Sequence, residues 1–153
     1  MLSMNEFLDD SKEELKRVDH LIYVSLKYTR TVDVFKSILE RLIACFDTSI
    51  AGLLHIAQDK KKIPSMPVSP TLRVEIVKKL YSNDEQILQY MDFYIFLRRL
   101  NNAEYTKKNE YRRHVTMTAV FPSGEIVDVT MDTIHGYYDK ASQFLLYLKE
   151  NIL

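Results

Sequence analysis

The 153-residue sequence predicts a mainly α fold of the α+β kind: an elongated antiparallel bundle of about five helices with one late β-hairpin. Three observations carry this. Apolar residues recur three or four positions apart through most of the first hundred residues, the period of a helix face. Beyond residue 112 the period becomes two, on both sides of a Pro-Ser-Gly turn. Three glycines and four prolines are too few for a many-turned all-β fold. The length suits one domain with a proper core and is short for two. A single domain over 1–153 is therefore expected, with the bundle at 11–102, a basic loop and hairpin at 103–130 and a C-terminal helix at 132–151.

The first helix is expected over about 11–29, with Leu15, Val18, Ile22 and Leu26 on its apolar face. Ser11, with Glu14 three positions on, has the pattern of a capping box. Thr29, Arg30 and Thr31 interrupt the helix, and Thr31 is placed to cap the next one. That second helix carries Phe35, Ile38, Leu39, Leu42, Phe46, Ile50, Leu53 and Leu54 and reaches about Asp59, a length of about 42 Å at 1.5 Å per residue. Two long helices joined by a short break predict an antiparallel hairpin. KKKIPSMPVSP (60–70) reads as a linker. Ser69 and Pro70 are a good cap and first residue for a third helix to about Tyr81. Ser82, Asn83 and Asp84 break it, and a fourth helix follows to about Asn101. HVTMTAV and EIVDVTM then alternate around Pro122–Gly124, which predicts strands near 112–121 and 125–130. A lone hairpin is marginal in water, so it must lie against the helices. Tyr138, Ala141, Leu145 and Leu148 mark the core face of the last helix.

Twenty-one basic and 21 acidic residues leave no net charge, so nothing global draws the chain to nucleic acid or to membranes. Any such binding must be local. Cys45 is the sole cysteine, which excludes a disulfide framework and a cysteine-based metal site. Within LIACF it reads as a small buried hydrophobe. The first residues are acidic and amphipathic without a signal pattern, and no apolar run approaches the roughly 20 residues of a membrane span. A cytoplasmic protein is expected.

No specific catalytic signature is present. Gly52, Gly124 and Gly136 are too far apart to cradle a phosphate. His20, His55, His114 and His135 lie at no metal-ligand spacing, so no metal site and no cofactor is expected. Tyr90, Tyr94, Tyr138 and Tyr147 have helical spacing and read as core or rim. FLRRLNNAEYTKKNEYRRHVTM, residues 96–117, stands out. It holds six basic residues (Arg98, Arg99, Lys107, Lys108, Arg112, Arg113) against Glu104 and Glu110, a net +4. Arginine binds phosphate oxygens bidentately, and tyrosines such as Tyr105 and Tyr111 can stack on bases. The plain rivals are capping of a helix end by Arg98 and Arg99 and a solvated loop with edge-strand charges. Alternation would put Arg112 and His114 on one strand face and Arg113 on the other.

The helical hairpin, two further helices and the late polar segment with Arg99, Asn101 and Asn102 resemble the HEPN superfamily. The segment DFYIFLRRLNNAEYTKKNEYRRHVTM is also similar to that of small archaeal helical proteins. Many HEPN proteins are metal-independent RNases or RNA-binding modules derived from them, commonly homodimers with the site at the interface. The resemblance implies Arg99 as a site arginine with nearby amides, and the next histidine is His114. Three functions follow as expectations. One is a module binding RNA or a nucleotide phosphate through the 98–114 patch, as a homodimer. Another is an RNase in which His114 transfers protons and Arg99, Arg112 or Arg113 stabilises the pentavalent phosphate. The third is an interaction or scaffold subunit whose patch meets an acidic partner.

Overall fold

In a computed structural model that describes residues 4–152, five helices pack with a three-stranded antiparallel sheet late in the chain. The first helix, α1, starts at Met4, well before Ser11. It is α-helical over Met4–His20, passes through a π-helical turn at Leu21–Ser25 and ends with Leu26–Tyr28. Phe7 and Leu8 extend the stripe of Leu15 and Val18 towards the N-terminus, and all four are buried. Burying that stripe draws the earlier residues into the helix. The capping box expected at Ser11 and Glu14 is therefore overturned. Ser11 is fully buried in mid-helix, its hydroxyl 2.9 Å from the Phe7 carbonyl oxygen and 2.9 Å from Ser49 Oγ of the neighbouring helix.

α2 (Val32–Asp59) begins and ends where the sequence predicts, with the Thr31 hydroxyl accepting from the Val34 N–H at 3.4 Å. Phe7 stacks on His55, Ser11 meets Ser49, and Glu14 lies 3.5 Å from Arg41. Numbers rise along α1 as they fall along α2, so the pair is the expected antiparallel hairpin. α3 (Pro70–Leu80) starts on Ser69, whose hydroxyl accepts from the Leu72 N–H at 3.1 Å. α4 (Glu85–Asn102) starts on Asp84. One carboxylate oxygen accepts from the Ile87 N–H at 3.1 Å and the other from the Tyr147 hydroxyl at 2.6 Å, tying α4 to the last helix. That helix, α5 (Met131–Asn151), is capped by Thr130, which accepts from the Thr133 N–H at 3.2 Å. Phe46 of α2 stacks on Phe144 of α5 at 4.7 Å between centroids and touches Phe93 and Tyr94 of α4. Cys45 lies beside it, fully buried, as read from LIACF.

The expected hairpin is part of a larger sheet, ordered β1 (Glu104–Lys108), β2 (Thr116–Val120), β3 (Ile126–Val129). The turn between β2 and β3 is where the sequence places it. Gly124 takes φ +91° there, and its N–H donates to the Phe121 carbonyl at 2.8 Å. Met117, Ala119 and Val129 are buried on the face towards the helices. Two boundaries differ. β1 is an edge strand that the sequence reading leaves as loop, and β2 starts at Thr116 instead of Arg112. Asn109 and Tyr111 adopt left-handed φ of +55° and +65°, and turn hydrogen bonds from Arg112 to Asn109 and from Val115 to Arg112 coil the chain before the strand. Lys107, Lys108 and Tyr105 therefore belong to a strand. Arg112, Arg113 and His114 belong to a loop, and the alternation argument for a shared face of Arg112 and His114 no longer applies. Among the described residues no helix is long and apolar enough to cross a membrane.

Candidate functional site

The basic cluster splits at the sheet. Glu104 pairs opposite Val120 and Lys108 opposite Thr116. Four residues, or about 13 Å of strand, separate the two ends of that ladder. Arg98 and Arg99 precede one end, whereas Arg112, Arg113 and His114 lie at the other. Lys107 sits towards the second end with both neighbours acidic. Its ammonium is 3.1 Å from Asp33 and 3.8 Å from Glu110, and the hydrogen bond to Asp33 chiefly raises its pKa. Lys108 is exposed at the strand end. Tyr105 is half-buried with the Lys36 ammonium 5.3 Å from its ring centroid, while Tyr111 is 76% exposed.

At the second end lies a cleft of about 430 Å³ lined by Arg30, Arg113, His114, Thr116, Thr130 and Asp132. Arg30 comes from the break between α1 and α2, eighty residues earlier in the chain, and sequence reasoning passed it over as a helix interruption. Three contacts bring it to the loop. The Tyr111 N–H donates to the Arg30 carbonyl at 2.6 Å, Glu110 accepts from the Val32 N–H at 3.2 Å, and Lys107 reaches Asp33. Together they fasten the 109–115 loop onto the corner of the helical hairpin and hold Tyr111 in a conformation that costs roughly 1 kcal/mol or more. The only signal in the sequence was a basic residue in a short inter-helix break.

The electrostatics favour an anion. The Arg30 Nε is buried and makes no hydrogen bond. Among the described residues, neither Arg30, Arg112 nor Arg113 takes part in an ion pair. The N-terminal end of α5, with its partial positive charge, also faces the cleft through Thr130. Asp132 is the carboxylate among these lining residues and lies in the first turn of α5. Two guanidiniums and an imidazole around a small cavity are suited to holding an oxyanion, while the Thr116 hydroxyl donates to the His114 carbonyl and the Thr130 hydroxyl is engaged by Thr133. Among the described residues no group of three His, Cys, Asp or Glu side chains could hold a metal ion.

Arg99 and His114, the pair that the resemblance suggested for catalysis, line different pockets of the chain. Fold and cleft together define a helical bundle with a small basic cavity at the join of sheet, loop and hairpin corner. Compared with protein-family models, with curated proteins and with solved structures, the chain matches none.

Proposed function

We propose that the protein is a cytoplasmic binding module for a phosphate-bearing ligand, a nucleotide or an RNA phosphate, held in the cleft of Arg30, Arg113 and His114. Arg30 carries the reading. Its guanidinium lines the cleft without an ion-pair partner among the described residues, so an oxyanion bound there meets a positive charge that nothing else neutralises. Arg113 and His114 add donors. The RNase reading is the second choice. His114 would act there with Arg113 or Arg30, the arginines that share its cleft, in place of Arg99, and cleavage of RNA without added metal would support it.

The test is titration with a nucleoside monophosphate at low salt, following the amide signals of Thr116 and Thr130. Arg113 is exposed and unpaired, so Arg113→Ala should weaken binding about tenfold, the value of one charge-assisted contact, without moving the melting temperature. A parent protein that does not bind, or an R113A protein that binds as the parent does, removes this reading.

A further inference from the structure

The other end of the ladder carries a groove of about 760 Å³, within the range of sites for small organic ligands. Its walls are largely apolar: Ile95 of α4, Ala103, and Val120, Phe121 and Pro122 at the end of β2. Two guanidiniums border it. Arg99 lies 4.4 Å from the centre of the Phe121 ring. Arg98 lies 5.8 Å from the Tyr94 ring, with its Nη1 3.4 Å from the Tyr94 hydroxyl, which donates in turn to Asp47. Neither arginine forms an ion pair with a carboxylate of the described residues. Nor do they supply the hydrogen bond that caps α4, because Lys36 from α2 donates to the Asn101 carbonyl. The Arg99 guanidinium, resting on an aromatic ring, is weakly hydrated and keeps its in-plane N–H groups for a bidentate partner, while Arg98 gives one N–H to the Tyr94 hydroxyl and retains the others.

We propose that this groove binds a small monocarboxylate with an apolar body, of the medium-chain fatty-acid class. The carboxylate lies on Arg98 and Arg99 beside the Asn102 amide, and the apolar body covers Ile95, Val120 and Pro122. The helix dipole and the apolar wall select a monocarboxylate over a phosphate. The Glu104 carboxylate lines the groove as Asp132 lines the other cleft, so the two sites have the same surplus of one positive charge and differ in their dipole and their apolar surface. The nearby helix terminus is the C-terminal end of α4, whose partial negative charge opposes a dianion. The cleft at the other end of the ladder has the opposite dipole and no apolar wall of this extent. This site is independent of the phosphate cleft.

The experiment titrates octanoate, octanol and octyl phosphate into the isotope-labelled full chain, following the Glu104, Val120 and Phe121 amides. Octanoate should bind saturably, and affinity should rise roughly fourfold per methylene from hexanoate to octanoate. Octanol should bind about tenfold more weakly, lacking the charge-assisted contacts, and octyl phosphate no more tightly than octanoate. Arg99→Leu keeps an apolar cover over Phe121, so it should weaken octanoate about tenfold and leave octanol unchanged. Arg98→Gln gives the same readout should the first variant be poorly folded. Arg113→Ala, at the far end, should leave octanoate binding as it was. The proposal is overturned by absent octanoate saturation, by equal affinities for octanoate and octanol, or by tighter binding of octyl phosphate. It is overturned equally by parental octanoate affinity in both arginine variants, or by its loss in R113A.

Discussion

Cys45 has no exposed surface, and burial, with the Glu14 carboxylate second, pushes its thiol up from 9.0 to about 12. Raising the folded pKa of an acid above its unfolded value gives stability that is present below the unfolded pKa. That stability is lost as pH rises, here from about 9 towards about 12. The slope contributed by one such group is at most about 1.4 kcal/mol per pH unit. Tyr137, raised to about 12 by burial, joins in the same direction at the upper end of the window. Urea unfolding across this range should therefore show stability falling with pH, and Cys45→Ala should flatten the fall that begins near pH 9. An identical pH dependence in C45A would refute the assignment. The burial of Cys45 was legible because its neighbours in LIACF are apolar. The role of Ser11 was not, since a serine that caps a helix and one that bonds across a tight helix pair are the same letter. What decides between them is Ser49, thirty-eight residues away.

Helices were the legible elements of this chain because each one buries a stripe that can be read at a period near 3.6. α2, α3 and α4 start on Thr31, Ser69 and Asp84, side chains whose capping oxygens are visible as residue types. β1 had no such signature. In EYTKK only Tyr105 is even half-buried, and the strand exists because β2 supplies its backbone hydrogen bonds. Likewise the loop from 109 to 115 reads as polar chain until its anchors are known. Glu110 is the anchor with two partners, since it accepts from the Val32 N–H at the start of α2 while helping to neutralise Lys107. Glu110→Ala should cost about 1 kcal/mol, the usual value of a capping interaction, with Glu110→Gln milder because it keeps an acceptor. Both effects would appear in urea unfolding. Hydrogen exchange at the Tyr111 amide, which is bonded to the Arg30 carbonyl, should quicken in the alanine variant. Unchanged exchange there would mean that the loop holds its place without Glu110, and that the cleft is not built through this corner.

A chain with equal numbers of acidic and basic residues projects little field beyond the Debye length of about 8 Å at physiological salt, so attraction to a polyanion depends on which cations are free and close together. From the sequence alone the 98–113 cluster reads as one rim able to engage three phosphates. The fold divides it. Lys107 is occupied by Asp33 and Glu110, and Arg98 and Arg99 face a groove at the far end of the ladder. Arg30 and Arg113 remain in the cleft, with Arg112 beside it in the loop, enough for one phosphate in the cavity and one at its mouth. Each phosphate engaged by a single strand adds about −0.7 to the log–log dependence of affinity on salt. The expected slope for a short single-stranded RNA is then about −1.4, against about −2 for a continuous rim. Replacing Arg112 and Arg113 together by Ala should roughly halve the slope, to about −0.7 for the one phosphate left to Arg30, with little change in melting temperature, because both side chains are exposed. Replacing Arg98 and Arg99 should leave it where it was. If the second pair flattens the slope as much as the first, the strand crosses the whole cluster and the division of the basic residues at the sheet has no functional meaning.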